Sequence, residues 1–293
     1  MTPFIRKYLN QLIAEKTGLS ISSLEFEAVG GGSINETYKV RTGDRMNFFL
    51  KINSAEKYPG LFEKEKNGLE FIAKQKIIRV PAVVACEEMD GRQLLVLEWI
   101  ETGLKTREFW KEFGERLAGL HSVSQSHFGF EENNYMGALP QLNDQHEHWV
   151  DFFNHCRLQP QIDIAVRKNL LSSRDVLAFE NLYPQLSAIF DEEKPSLLHG
   201  DLWSGNFICD ENSRPVLIDP AVYFGNRHVD LAMTTLFGGF DKTFYEAYDL
   251  HFPLPANHKE QWDICNLYPL LIHLNLFGSS YLSEIKNTLF KYS

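Results

Sequence analysis

The segment Leu198-His199-Gly200-Asp201-Leu202-Trp203-Ser204-Gly205-Asn206 sets a carboxylate five residues ahead of a carboxamide. Leu217-Ile218-Asp219-Pro220 follows, with a second carboxylate after an apolar run. Transfer of a phosphoryl group to an alcohol calls for these residue types. One carboxylate orients and deprotonates the attacking hydroxyl, and oxygen ligands hold a divalent ion on the phosphates. Asp201 is the candidate for the first task, Asn206 and Asp219 for the second. A hairpin over Asn206 to Ile218, turning at Asp210-Glu211-Asn212, would return Asp219 to Asn206 and gather the three groups at one cleft. The competing reading is a polar loop with ordinary turn aspartates.

Upstream residues supply what such chemistry needs for its donor. Gly30-Gly31-Gly32-Ser33-Ile34-Asn35 lies between two strand-like runs, where glycines let backbone N–H groups approach phosphate oxygens. It is no Walker A loop, because no Gly-Lys-Ser/Thr follows; a plain Gly-rich hairpin turn is the alternative. Lys51 ends the run Phe48-Phe49-Leu50-Lys51-Ile52 and shares a face with Phe49 and Asn53. A cation there would anchor the α- and β-phosphates if a helix carboxylate held it; a solvated edge lysine is the other possibility. Glu63 and Glu65 both qualify as that carboxylate. Glu65 falls within the apolar stripe of Phe62, Leu69, Ile72 and Ala73 and Glu63 falls off it, so Glu65 is the expected partner. Glu98, Trp99 and Ile100 close an apolar strand and are assigned to adenine, chiefly through main chain.

The elements that must carry these groups are legible as changes of period. An amphipathic helix opens the chain. Strand-like runs follow at Phe26–Val29, Glu36–Arg41 and Asn47–Ile52, then a helix over Leu61–Gln75, then strands at Val80–Cys86 and Gln93–Trp99 around the turn Met89-Asp90-Gly91. From Lys105 the pattern is helical, with a stripe of Phe109, Phe113, Leu117 and Leu120 ending at His121. His127 to Asn143 lacks a period and is expected to be a long loop. Short strands are expected at Ser196–Gly200, Asn206–Cys209 and Val216–Ile218. The fold class is therefore α+β in two lobes: residues 1–100 as a nucleotide-binding lobe and residues 101–293 as a catalytic and substrate-binding lobe.

Bulk properties remove other classes. A formal net charge of -10 argues against nucleic acid or anionic lipid as a partner. No apolar stretch approaches the ~20 residues of a membrane span, and the charged first sixteen residues are unlike a signal peptide. Cys86, Cys156, Cys209 and Cys265 form no C-x-x-C pair, which fits a reducing compartment and hence a cytoplasmic location. His146, His148 and His155 are spaced so that one helix face cannot offer them to one ion.

With these residues in place the sequence resembles the fructosamine (ketosamine) kinase family, a relative of aminoglycoside phosphotransferases and choline kinases with the bilobal protein-kinase-like fold. The resemblance spans nearly the whole chain. It is carried by Gly30 to Asn35, Phe62-Glu63-Lys64-Glu65, Trp149 to Leu158, Leu197 to Asn206, Ile218-Asp219-Pro220-Ala221, Asp230-Leu231-Ala232, Leu236-Phe237-Gly238-Gly239-Phe240 and His273-Leu274-Asn275-Leu276-Phe277-Gly278. It implies ATP- and Mg2+-dependent phosphorylation of the sugar 3-hydroxyl of ketosamines, free or protein-bound, after which the phosphate eliminates and frees the amine. Asp201 would be the proton acceptor, Asn206 and Asp219 the metal ligands, Lys51 the phosphate anchor, and Trp203 a surface on which sugar or amine could stack. A choline-like amine or an aminoglycoside is the alternative acceptor, and the assembly is a monomer or homodimer. Ser33 stands where several members carry a redox-active cysteine. Asn226 and His228 stand where acidic residues are common. Ten residues between Asp219 and Asp230 leave no room for a peptide-docking activation segment. Asp230 is expected to open a helix and steady the catalytic loop through its backbone.

Overall fold

A computed structural model describes residues 3–18, 20–30, 34–43 and 46–292. The chain divides into two compact units. One comprises Met1–Leu104 together with Ile208–Asp219, the other Lys105–Phe207 with Pro220–Ser293.

The first unit begins with helix α1 (Pro3–Thr17) and strands β1 (Leu24–Ala28), β2 (Glu36–Thr42) and β3 (Asn47–Ser54). Helix α2 (Leu61–Gln75) and strands β4 (Val83–Met89) and β5 (Arg92–Glu98) follow. The five strands form one antiparallel sheet in the order β1-β2-β3-β5-β4. Alternation divides its side chains between two faces. Val40, Phe48, Leu50, Ile52, Leu94 and Val96 point to one face and pack on Ile5, Leu9, Leu12 and Ile13 of α1. Each such burial contributes about 1.5–3 kcal/mol. The opposite face carries Phe49, Lys51 and Asn53 of β3, paired with Leu97, Leu95 and Gln93 of β5.

Helix α2 starts after Gly60 (φ 68°), which offers no side-chain cap, and stops at Lys76 (φ 57°), whose N–H returns to the Ala73 carbonyl. Phe62, Leu69 and Ile72 are buried as their spacing requires, while Ala73 lies exposed in the last turn. The β4–β5 connection turns at Asp90 (φ 51°) and Gly91 (φ 68°), the two positive values of a type I′ hairpin. Strand β4 starts three residues later than Val80, because Pro81 has no N–H to give a ladder.

The second unit continues with α3 (Arg107–His121), the hairpin β6 (Asn134–Met136) and β7 (Leu139–Gln141), and α4 (Trp149–Phe152). A π-helical turn at Phe153–Leu158 leads into α5 (Gln159–Arg167), α6 (Ser173–Leu182) and α7 (Leu186–Ile189). Next come β8 (Ser196–Leu198) and β9 (Phe207–Cys209), which runs on into the first unit, where it pairs with β10 (Pro215–Leu217). Strand β11 (Tyr223–Gly225) pairs with β8, and helices α8 (His228–Leu236), α9 (Lys242–His251), α10 (His258–Cys265), α11 (Leu267–Phe277) and α12 (Leu282–Leu289) complete the unit.

The hairpin β6–β7 replaces the loop expected over His127 to Asn143. Strands of three residues are too short to print a period, and this pair is set by tertiary contacts. Asn134 Nδ2 donates to the Val222 carbonyl at 2.8 Å and Gln141 Nε2 to that of Ala221 at 3.1 Å. The π-turn delivers Arg157, fully buried, with its guanidinium over the rings of Tyr223 (3.9 Å) and Phe152 (4.5 Å) and its Nη2 donating to Asn143 Oδ1. Among the described residues no helix is long and apolar enough to cross a membrane, and all four cysteines are free.

Candidate active site

In the first unit, Lys51 and α2 meet on the sheet face that α1 leaves open. Lys51 Nζ donates to Glu65 Oε1 and to Asp219 Oδ1, each at 2.7 Å. Lysine and glutamate are buried, whereas the Asp219 side chain is 41% exposed. Glu63 is exposed, so helix geometry selects between the two carboxylates as its stripe requires. Burial works against the charge on Lys51, yet Asp219 and Glu65 outweigh it and hold its pKa above the ordinary value. Glu65 is pushed up to about 7, chiefly by burial, which the Lys51 ammonium opposes and the Asp219 carboxylate reinforces. Asp219 itself sits at φ 55°, a conformation that costs a non-glycine residue about 1 kcal/mol or more and persists where surroundings enforce it.

The hairpin that delivers Asp219 is tied into the same unit. Asp210, buried in its turn, accepts from the N–H groups of Asn212 and Arg214 at 2.9 Å and from Arg79 Nη1 at 2.7 Å. Arg79 Nη2 reaches Glu98 Oε1. Glu98, assigned to adenine, has its N–H donated to the Ala82 carbonyl at 2.8 Å. Trp99 lies between Lys39, 4.2 Å over its ring, and Phe49, and Ile100 is buried. A side chain at Gly103 would bring its Cβ to 2.2 Å from the Asp210 carbonyl oxygen, which explains a glycine there. Of the glycine-rich turn, Gly31, Gly32 and Ser33 lie outside the described residues. Gly30 and Ile34 flank them, and Asn35 Oδ1 accepts from Asn53 Nδ2 at 3.1 Å.

In the second unit, Asp201 follows a loop fixed from below. Asp230, wholly buried at the first turn of α8, accepts from the N–H of His199 at 2.7 Å and of Gly200 at 2.9 Å. His121 Nε2 also lies 3.2 Å from Asp230. Because a carboxylate only accepts, that nitrogen carries a proton, and Nδ1 lies 2.8 Å from Tyr248 Oη. The role expected of Asp230 is thus met. His121 was visible in sequence only as the polar end of an apolar stripe. Gly200 adopts φ 86°, and a Cβ there would come within 2.0 Å of the Ala221 carbonyl oxygen.

Asn206 Nδ2 donates to both Oδ2 and the main-chain carbonyl of Asp201, each at 2.8 Å. Both amide hydrogens are thereby committed, which leaves the oxygen Oδ1 as the atom able to ligate a cation. An amide oxygen is a ligand that a hard cation such as Mg2+ accepts. Trp203 is 37% exposed, packs edge-on against Phe237 at 5.9 Å, and lies so close over Gly205 that a Cβ there would sit 2.3 Å from its ring.

Solved structures place this architecture. A macrolide 2'-phosphotransferase of Brachybacterium faecium, 13% identical, superposes with a TM-score of 0.57 over 98% of both chains, which shows a shared, protein-kinase-like fold. A Haemophilus somnus structure, provisionally named as a fructosamine-3-kinase, is 28% identical and gives a TM-score of 0.87 over 97% of this chain and 96% of its own. The profile of the fructosamine kinase family matches residues 5–292, and the chain belongs to that family; it is a kinase. A probable ketoamine kinase of Synechocystis is 37% identical over 95% of this chain and 94% of its own. The chloroplastic protein-ribulosamine 3-kinase of Arabidopsis thaliana is 36% identical over 88% of this chain and 79% of its own.

Proposed function

We propose that this protein transfers the γ-phosphoryl group of ATP to the 3-hydroxyl of ketosamines, with Mg2+ as cofactor, in the cytoplasm. The observation that carries the reading is the buried Lys51 ammonium held by Glu65 and Asp219, a cation prepared for phosphate on a strand beside a glycine-rich turn. The relatives named ketoamine and ribulosamine 3-kinase support the acceptor and its position.

In this mechanism Lys51 anchors the α- and β-phosphates, and the glycine-rich sequence from Gly30 to Asn35 would supply main-chain N–H groups to them. Asn206 and Asp219 would hold Mg2+, which when bound neutralises charge on the β- and γ-phosphates. Asp201 accepts the hydroxyl proton as the new O–P bond forms and ADP departs. Asn206 fixes one Asp201 oxygen and so aims the carboxylate. Trp203 offers its exposed ring to the sugar or amine. Subsequent β-elimination of the 3-phosphate would release the amine, making the activity a deglycation. The four free thiols suit the reducing cytoplasm.

The test is turnover of ribuloselysine and fructoselysine with Mg-ATP, beside choline and kanamycin. Activity confined to either of the latter would overturn the acceptor assignment. Asp201→Asn should lower kcat by about 10²- to 10⁴-fold with ATP affinity nearly unchanged; loss of ATP binding instead would refute the role given to Asp201.

A further inference from the structure

Helix α2 carries Glu65 but begins without a cap of its own, since Gly60 has no side chain to offer. The missing acceptor comes from strand β5. Gln93 Oε1 takes the N–H of Phe62 at 3.2 Å, and Gln93 Nε2 donates to the Tyr58 carbonyl at 2.5 Å, so one buried carboxamide grips the chain on both sides of the helix start. The same Nε2 donates to Asn53 Oδ1 at 3.0 Å, and Asn53 Nδ2 donates onward to Asn35 Oδ1 at 3.1 Å. Gln93 and Asn53 are 4% and 6% exposed, too enclosed for water to replace these bonds cheaply.

The placement is specific. Asn53 lies two residues beyond Lys51 on the same face of β3, and Phe62 lies three before Glu65 on the same side of α2. Strand and helix are therefore joined by two parallel rungs. Lys51–Glu65 is one; Asn53–Gln93–Phe62 is the other, and the second reaches Asn35. We propose that Gln93 is a positioning residue for nucleotide binding. Through Asn53 it holds Asn35 and the start of α2 as one rigid body with the strand that carries Lys51, so that the Lys51–Glu65 pair is set in place for the phosphates.

This rests on the nucleotide role proposed above for Lys51. Its test is steady-state kinetics of the full chain, varying ATP and ketosamine separately, together with thermal melts. Gln93→Leu and Asn53→Leu should each raise KM for ATP by about 3- to 10-fold, the worth of one hydrogen bond. kcat and KM for the ketosamine should stay within about twofold. The double variant should be no worse than the poorer single, because both cut one chain. A purely packing role would lower Tm and leave KM for ATP unmoved, or give additive effects, and either result overturns the inference. Should Gln93→Leu not fold, Asn35→Ala carries the test, since it leaves the grip of Gln93 on Asn53 and on the helix start in place and removes the side chain that Asn53 holds. Lys51→Met separates the two claims. If it leaves KM for ATP unchanged, the nucleotide role of Lys51 fails and this inference with it. If it raises KM for ATP while the Gln93 and Asn53 variants do not, the inference alone fails.

Discussion

Replacing Asp230 by asparagine tests the foundation of the catalytic loop without touching a reacting atom. The carboxylate is wholly buried and receives three donors: the His199 and Gly200 N–H groups and His121 Nε2. Asparagine has one acceptor oxygen. In its less costly orientation the oxygen keeps His199 and His121, and the amide NH2 is turned on the Gly200 N–H. Orphaning that buried donor costs about 1–3 kcal/mol, and the two surviving bonds each fall from charge-assisted to neutral, about 1 kcal/mol apiece. The loop cannot relax away, because Gly200 sits at φ 86° hard against the Ala221 carbonyl. The sum is about 3–5 kcal/mol, or a fall in Tm of about 6–20 °C for a body of this size. Displacing the segment directly before Asp201 should also lower kcat, by about 10²-fold for an ångström of misplacement. Thermal denaturation and turnover at saturating substrates measure both. A variant melting within a degree of the parent, with kcat intact, would show that Asp230 does not hold the loop.

Glu65→Ala should raise KM for ATP by roughly 10-fold or more, through the loss of one charge-assisted bond to buried Lys51, while Glu65→Gln keeps part of it; equal behaviour of both variants and the parent in ATP titrations would remove the pair from the mechanism. Gly103→Ala should destabilise by about 1–3 kcal/mol in chemical denaturation, because its methyl meets the Asp210 backbone rather than a movable side chain. His228 is buried, accepts from Trp262 Nε1 at 3.0 Å, and is driven by burial and the neighbouring Arg227 down to about 3 from 6.5. Below pH 6.5 the unfolded chain therefore takes a proton that the folded chain refuses, so stability present above 6.5 drains as pH falls towards 3. His228 should withdraw about 2 kcal/mol by pH 5; in urea titrations at pH 7 and 5 the stability change of the parent should differ from that of His228→Gln by that increment, in the destabilising direction.

The local logic of the site was readable because it obeys period. Glu65 could be chosen over Glu63 by counting along a helix, and Lys51 placed with Asn53 by counting along a strand. The hairpin turning at Asp210 was signalled by its Asp-Glu-Asn turn. What was not readable depends on partners remote in sequence: Gln93 gripping Phe62, Arg79 reaching Asp210, and a hairpin between Asn134 and Gln141 pinned by carbonyls some 80 residues away. Burial of Arg157 among aromatic rings had no sequence signal, since an arginine at a helix surface is ordinarily solvated.

Residues 208–219 belong to the first unit although a long stretch of the other unit is strung between them and Leu104. Their membership is written in hydrogen bonds: Leu217 N to the Arg79 carbonyl at 2.9 Å and Gly103 N to that of Cys209 at 2.8 Å. A truncation after Leu104 would accordingly leave Arg79 and Gly103 facing solvent where a strand pair should lie. Chimeras between relatives inherit the same condition. A transplanted amino-terminal segment needs its own copy of the short downstream ribbon, and a crossover that ignores this would graft a body with one side unsealed.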